Sequence, residues 1–144
     1  MSVIVTFFAA PDDASAAAAL VAGPEPACDS VDFGSFDPEE AVVQWECLLA
    51  GGSAEALADA GEPRTVAEED DGGCLVLALS PRLSAALAAA GPAALRDAAV
   101  AWSRLLAEDG RAVGEDVAGE ILSEVAALAA RSGEGGSSVY CWIA

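Results

Sequence analysis

Short apolar runs at both ends of the chain and in its middle are typical of strands that are buried on both faces. Residues 2–9 read SVIVTFFA, residues 74–79 read CLVLAL and residues 138–144 read SVYCWIA. A shorter strand is indicated at residues 31–36. We expect the first run to be a central strand, and we expect the two terminal strands to meet within one small sheet.

Helix start signals follow the strands in the first half of the chain. Residues 11–13, Pro-Asp-Asp, precede an alanine-rich helix that continues to Val21. Residues 37–40, Asp-Pro-Glu-Glu, combine an N-cap, a proline at the first helical position and an acid at the third. The helix that they predict ends at Gly51, before Ser53 caps another short turn. Its apolar residues recur at helical spacing: Val42, Trp45 and Leu49.

The second half of the chain is predicted to be mostly helical. Residues 61–73, GEPRTVAEEDDGG, indicate a solvated loop, and Ser80 with Pro81 then starts a helix that Gly91 closes. Two amphipathic helices follow, because apolar residues recur there at helical spacing. Their apolar stripes are Leu95, Ala99, Trp102 and Leu106 in the first and Val117, Ile121, Val125 and Leu128 in the second.

These elements predict an α+β fold in a single globular domain, residues 1–144. We expect a small mixed β-sheet that includes both terminal strands and is covered by about four to five helices. The length of 144 residues is typical of one domain, and a hydrophobic fraction of 54% excludes a disordered chain.

Targeting signals are not indicated by the pattern. The N-terminal apolar run carries no basic residue and stops at Pro11, unlike a signal peptide. The longest apolar stretch, residues 83–101, is interrupted by Gly91, Pro92 and Arg96, whereas a membrane span needs about 20 apolar residues in succession. We therefore expect a cytoplasmic protein without a membrane partner.

Charge is the most unusual feature of the composition. The 24 acidic and 6 basic residues give a formal net charge of −18. Residues 1–72 contain sixteen acids and only Arg64, a net charge of −15. Such a field repels nucleic-acid phosphates and anionic membranes, and it attracts basic partners and divalent cations. Solubility of an alanine-rich chain is the simpler explanation of the same acidity.

Histidine and lysine are both absent from the chain. The first absence excludes Ser-His-Asp and Cys-His catalysis and histidine metal ligands. The second excludes a Walker A loop and a Schiff-base lysine. Ser80 lies between a strand and a helix, but no GxSxG pattern flanks it, so we interpret it as an N-cap. We predict no catalytic residue and no cofactor.

Carboxylates remain as the residues that could carry chemistry. The obvious candidate is a run of four consecutive acids: Glu68, Glu69, Asp70 and Asp71. Consecutive acids are unlike the alternating ligands of a calcium loop, and they are typical of a solvated acidic segment. Asp12, Asp32 and Asp37 lie near predicted strand ends and are alternative ligands, although each is also explained as a cap or turn residue.

Cysteines and tryptophans favour structural roles. Cys28, Cys47, Cys74 and Cys141 form no CxxC pair, so neither a zinc ribbon nor a thioredoxin motif is indicated, and we expect reduced, partly buried thiols. The tryptophans lie on predicted buried faces and are expected in the core: Trp45, Trp102 and Trp142.

The order of elements resembles the uncharacterised bacterial YfbM-like family of small α+β proteins. The resemblance rests on four segments: residues 2–8, the tryptophan helix at residues 45–49 leading to Gly51, the helix start at residues 79–81, and the last helix turning through Gly135 into residues 139–143. A histidine after the tryptophan, and a Tyr-Pro plus tryptophan segment before the last helix, are features of the family that this chain lacks. The resemblance implies a fold and no particular activity.

The first functional hypothesis is a non-catalytic intracellular binding module for a basic protein, in the manner of an inhibitor or immunity protein. Residues 68–71 are its candidate partner-binding acidic surface. A metal-assisted hydrolase that uses only carboxylates, with residues 68–71 or with Asp32 and Asp37 as ligands, is an alternative from another class. A small-molecule pocket lined by the tryptophans is a third. No nucleic-acid partner is expected.

Overall fold

The computed structural model describes residues 4–20, 23, 30–34, 36–69, 73–111 and 113–144. Within these ranges the strands are β1 (Ile4–Ala10), β2 (Ser30–Gly34), β3 (Arg64–Glu68), β4 (Leu75–Ala78) and β5 (Ser138–Ile143). The helices in the same ranges are α1 (Asp13–Ala17), α2 (Pro38–Leu49), α3 (Ala54–Asp59), α4 (Pro81–Ala89), α5 (Pro92–Glu108) and α6 (Glu115–Glu134).

The strands form one sheet in the order β2-β1-β5-β4-β3. The terminal strands are neighbours, with Val5 opposite Ile143 and Ala10 opposite Ser138. The predicted α+β class and the meeting of the two terminal strands are therefore confirmed. All the pairings of the described strands are antiparallel, so the sheet is not the mixed one that we expected. Local sequence patterns determine neither the order nor the direction of strands.

The two faces of the sheet are covered unequally. One face packs against α2, α4, α5 and α6 and holds the larger core, to which Phe7, Leu77 and Cys141 contribute from the strands. The opposite face packs against α1 and holds a smaller core that includes Phe8 and Tyr140. Successive side chains of a strand point to opposite faces, so each interior strand supplies apolar residues to both cores. This explains the uninterrupted apolar runs of the sequence.

Residues 64–68 form an edge strand, and the prediction of a solvated loop across residues 61–73 is wrong there. β3 pairs with β4, with Arg64 opposite Ala78, and the register shifts between Thr65 and Ala67. Val66 and Ala67 are half-buried against the smaller core. The strand is short, irregular and polar at its ends, which are usual properties of sheet edges. Its acidic surroundings concealed it in the sequence.

Both amphipathic helices are present, and one position of the second apolar stripe differs from the prediction. In α6, Ile121, Val125 and Leu128 are buried, whereas Val117 is 50% exposed. The buried arc of α6 starts at Ala118, and each residue of a helix is rotated by about 100° from the one before it. Val117 therefore lies outside the face that meets the core.

Aromatic side chains fill the centre of the larger core. Trp45 and Trp102 are both fully buried, and their rings meet edge to face with centroids 5.1 Å apart. Phe36 contacts both rings, at 6.2 Å and 5.6 Å. Neither indole N–H has a hydrogen-bond acceptor among the described residues, so these side chains contribute through packing and ring geometry. The prediction of core tryptophans is confirmed for both.

Replacing Trp102 with alanine is expected to lower the free energy of unfolding by about 3–5 kcal/mol. The substitution leaves a cavity where α5 packs against the aromatic cluster. Urea unfolding followed by circular dichroism measures the change. Val117→Ala is the matched control, and we expect it to stay within about 0.5 kcal/mol of the unchanged protein since this side chain lies outside the core. Equal effects of the two substitutions would contradict the assignment of the core.

Candidate functional site

The predicted acidic segment lies at the turn between β3 and β4, beside the edge of the sheet. Glu68 is exposed at the end of β3 and lies opposite Leu75 in the ladder. Glu69 is half-buried, and its backbone N–H donates to the carbonyl of Cys74 at 3.0 Å, which closes the hairpin. Asp70 and Asp71 lie outside the described residues. The described half of the segment is thus held by the hairpin and faces solvent at Glu68.

A polar network holds the other end of β3. Arg64 donates from both terminal nitrogens to the carboxylate of Asp13, at 2.7 Å to Oδ2 and 3.2 Å to Oδ1. The hydroxyl of Tyr140 donates to the same Oδ1 at 2.8 Å. The network therefore joins the start of α1 to strands β3 and β5. Arg64, the arginine of the acidic N-terminal half, is thereby paired within the chain, and both side chains of the pair are about half exposed.

The protonation states within this network follow from its contacts. The hydrogen bonds from Arg64 and Tyr140 hold the pKa of Asp13 below its usual value, so the carboxylate stays charged. Burial, together with the bond to Asp13, raises the pKa of Tyr140 to about 12. The phenol therefore stays protonated at neutral pH and acts as a hydrogen-bond donor. A phenolate nucleophile or base is excluded at this position.

The three aspartates considered as alternative ligands serve separate structural roles. Asp12 caps α1 and Asp37 caps α2, while Asp32 accepts a hydrogen bond from the Thr6 hydroxyl at 2.8 Å. The hydrogen bond from the backbone of Ser15 lowers the pKa of Asp12. Within the described ranges, no group of three or more His, Cys, Asp or Glu side chains is placed to hold a metal ion.

A second acidic cluster forms where the start of α2 meets the end of α5. Burial, the nearby charge of Asp109 and a hydrogen bond with it, and the charge of Asp37 all raise the pKa of Glu40, while Arg111 lowers it. The amide of Gln44 donates to the Glu40 carboxylate at 3.3 Å. Sequence reasoning identified Asp37 as a cap and missed Asp109, because only the packing of α2 against α5 brings Asp109 to Glu40.

Glu46 is the one acidic side chain in the described ranges that is buried, at 4% exposure. Its Oε1 accepts a hydrogen bond from the Ser80 hydroxyl at 2.5 Å. The same Ser80 oxygen accepts from the backbone N–H of Leu83 at 3.0 Å, so Ser80 caps α4 as predicted. The Ser80 hydroxyl is buried, and it both donates and accepts a hydrogen bond. It is therefore a structural group and not an accessible nucleophile.

Arg82, whose side chain is exposed, extends this network to the surface. Its Nη1 lies 3.5 Å from Oε2 of Glu46, and its Nη2 donates to the carbonyls of Ala50 and Gly51 at 2.5 Å and 2.8 Å. The network thereby joins the C-terminal end of α2 to the N-terminal end of α4. Sequence reasoning missed it, although Glu46 follows Val42 by one helical turn and so falls on the predicted apolar stripe.

The space beside Glu46 is too small for a substrate. A cavity of about 10 Å³ lies against Glu46, Glu62, Pro63 and Ser80. That volume is on the order of the space that one water molecule requires. The Ser80–Glu46 hydrogen bond therefore joins two helices, and the cavity beside it has no room for a substrate.

The described thiols are free of disulfides, and the most buried one is inert. Cys47 and Cys74 are half-buried, and burial raises the pKa of the fully buried Cys141 far above its usual value. A thiol of this kind is not a nucleophile at neutral pH. Cys28 lies outside the described residues. The prediction of partly buried thiols is confirmed for Cys47 and Cys74, whereas Cys141 is fully buried.

Trp142 differs from the other two tryptophans because it is half-buried. Its indole N–H donates to the carbonyl of Leu20 at 2.8 Å, and its ring lies against Gly23, where an added Cβ would come within 3.0 Å of it. Gly23 also has a φ of +82°, which glycine adopts without strain. The three tryptophans are divided between the core and this contact and do not line one pocket.

Comparisons with protein families, with curated proteins and with solved structures found no match for this chain. The resemblance to the YfbM-like family therefore stays a prediction. Among the described helices, none is both long and apolar enough to cross a membrane.

Ser80→Ala is expected to lower the free energy of unfolding by about 2–4 kcal/mol, because it removes a helix cap and also the donor to a buried carboxylate. Ser53→Ala is the matched control, since Ser53 caps α3 through a bond to the N–H of Ala56 and contacts no buried charge. We expect that substitution to lower the free energy of unfolding by about 1 kcal/mol. Urea unfolding measures both, and equal losses would contradict the role of Glu46.

Glu40→Gln is expected to raise stability at neutral pH by roughly a few tenths of a kcal/mol, the scale of interactions between exposed charges. The folded-state pKa of Glu40 is raised, so its ionised form disfavours the folded state at high pH. The gain should vanish as the pH falls through the folded pKa to below the usual value of 4.5, where Glu40 is protonated in both states.

Thermal unfolding of both proteins across this pH range measures the difference. Glu124→Gln is the control, because it removes the same charge from an exposed helical position of α6. An equal gain in both variants would show that the effect comes from overall charge and not from Asp109.

Proposed function

We propose that this protein is a non-catalytic acidic module of the cytoplasm that binds a basic protein, in the manner of an inhibitor or immunity protein. The observation that carries the proposal is the distribution of charge. Every described acidic side chain except Glu46 is exposed or half-buried. The acidity is therefore a property of the surface that a partner would meet.

Internal ion pairs do little to neutralise this surface. Arg64 and Arg82 are engaged with Asp13 and Glu46, and both pairs join parts of the same chain. Even if each of the 6 arginines neutralised one acid, the formal charge of −18 would remain. A field of this size attracts a basic protein and raises the rate of encounter, an effect that salt screens.

The acidic turn, which comprises Glu68, Glu69, Asp70 and Asp71, is the proposed contact surface. Glu68 is exposed, and β3 pairs with β4 on one side and is the last strand of the described sheet. Carboxylates at the rim of a contact act mainly through steering and specificity. The pairing of β3 with β4 supports this role because it fixes the backbone position of Glu68 opposite Leu75.

The chemistry of the described side chains supports binding over catalysis. Ser80 is a buried cap, the pKa of Cys141 is raised by burial, and Tyr140 remains protonated. Asp32 and Asp37 are occupied by separate structural hydrogen bonds, so the geometry does not favour the carboxylate-only hydrolase that uses them.

Affinity capture from the lysate of the native cells, at low and at high salt, identifies the partner. We expect a basic protein that is retained at low salt and released at high salt. The purified partner is then titrated against a variant with the acidic turn neutralised: Glu68→Gln, Glu69→Gln, Asp70→Asn and Asp71→Asn. Binding should weaken by at least about 4-fold, since four exposed ion pairs of roughly 0.2–1 kcal/mol each are lost.

A matched variant neutralises four exposed acids of α6: Asp116→Asn, Glu120→Gln, Glu124→Gln and Glu134→Gln. It removes the same charge from another surface, and we expect a smaller loss of affinity. Equal loss of affinity in the two variants would show that the acidic turn is not the contact surface. The attraction would then come only from the overall negative charge. If no basic protein is retained at either salt concentration, the proposal fails and the acidity serves solubility.

A further inference from the structure

A groove of about 420 Å³ lies between α5 and α6. Leu95, Arg96 and Val100 contribute to its α5 wall, and Glu115 and Asp116 contribute from the first turn of α6. Its volume falls within the roughly 300–1,000 Å³ of typical small-molecule sites. The groove is far larger than the water-sized cavity at Glu46.

The floor of the groove is open because two small residues face each other there. Ala99 and Gly119 line it, and a Cβ added at Gly119 would lie 3.8 Å from the Cβ of Ala99, an ordinary contact. Packing of α5 against α6 therefore does not require glycine at this position. A glycine inside a helix costs about 1 kcal/mol relative to alanine. Helix packing therefore does not explain why a destabilising glycine is present at residue 119. The open groove explains it, because a side chain there would occupy part of the groove.

Opposite charges face this groove without neutralising each other. Arg96 lies on one wall, and Glu115 and Asp116 lie on the other. Among the described residues, no ion pair joins Arg96 to either acid. The α5 wall also carries Leu95 and Val100, which are apolar and half-buried. The groove is therefore lined by a cation from α5, two anions from α6 and apolar side chains.

We propose that the α5–α6 groove binds a small zwitterion with an apolar side chain, of the size and chemistry of a free aliphatic amino acid. The carboxylate of the ligand meets Arg96, its ammonium group meets Glu115 and Asp116, and its side chain lies on Leu95 and Val100. An arginine–carboxylate pair is among the stronger hydrogen-bonded contacts available to a protein. The inference does not depend on the proposed basic partner.

The test is a titration of the uniformly ¹⁵N-labelled protein with L-leucine, followed by two-dimensional ¹H–¹⁵N NMR. We expect saturable shifts at millimolar leucine, concentrated at residues 95–100 and 115–119. Two matched probes each lack one charge of leucine: 3-methylbutylamine lacks the carboxylate, and 4-methylpentanoate lacks the amine. Each should bind at least about 10-fold more weakly, because one charged hydrogen-bonded contact is lost.

Single substitutions assign the two ends of the ligand. Arg96→Gln and Asp116→Asn should each weaken leucine binding by about 10-fold. Arg104→Gln on α5 and Glu120→Gln on α6 are the matched controls, since both residues are exposed and neither lines the groove. Their affinity for leucine should not change, and their spectra confirm that the helices remain folded.

The proposal is overturned if millimolar leucine leaves the amides of the groove unshifted. It is also overturned if leucine and both single-charge probes bind alike, or if Arg96→Gln binds leucine as the unchanged protein does. These outcomes are separate from the partner-binding test, because they are read from a different surface and from a different ligand.

Discussion

Strand β5 pairs with β1 on one side and with β4 on the other, and this double pairing holds the sheet together. Without it, the described strands would separate into the pairs β1–β2 and β3–β4. Two-stranded pairs are marginally stable in water, whereas a multi-stranded sheet with covered faces is stable. The backbone groups of Ile4 and Ala144 exchange two further hydrogen bonds, at 2.9 Å and 3.0 Å, so the ladder continues beyond the ends of the strands. Contacts between the two ends of a chain require the closure of a long loop, and burial of Phe7 and Cys141 in the larger core offsets that loss of chain entropy.

Polar contacts define how the layers meet this sheet. Asp13, Arg64 and Tyr140 join α1 to two strands, and Glu46, Ser80 and Arg82 join α2 to α4. A buried carboxylate such as Glu46 is costly to remove from water, and it is tolerated because a hydroxyl and a guanidinium both contact it. The gain from such a network is partly one of specificity, because an alternative packing of α2 against α4 would leave Glu46 buried without partners.

The surface combines a large negative field with two local features of different chemistry. Glu68 is exposed at the end of the edge strand β3, and the α5–α6 groove brings an arginine opposite two acids. A general field accounts for attraction of basic molecules and does not select among them. Selection requires fixed geometry, which the β3–β4 hairpin supplies for Glu68 and the helix pair supplies for Arg96. A basic protein and a small zwitterion are the partners that we propose for these two places.

Local signals in the sequence were sufficient for much of the fold. The caps at Asp37, Ser53 and Ser80, the buried strands and the long amphipathic helices were all predicted from neighbouring residues, because caps and periodicity act within one or two turns. The α+β class followed from the same patterns, and the apolar character of both faces of the terminal strands led us to expect them in one sheet. The exposure of Glu68 was also evident from the polar character of its segment.

Tertiary structure alone decided the features that depend on residues far apart in the chain. β3 is a strand because β4 pairs with it, and Val66 is half-buried because α1 and the sheet supply a surface beneath it. Asp109 reaches Glu40 only through the packing of α2 against α5. Arg96 and Asp116 likewise share one groove only because α5 packs beside α6. Sequence by itself determined which segments fold and which faces are apolar, since those preferences are local. The direction of the strands, the partners of buried charges and the grooves on the surface depend on how distant segments pack together, and no local preference encodes that.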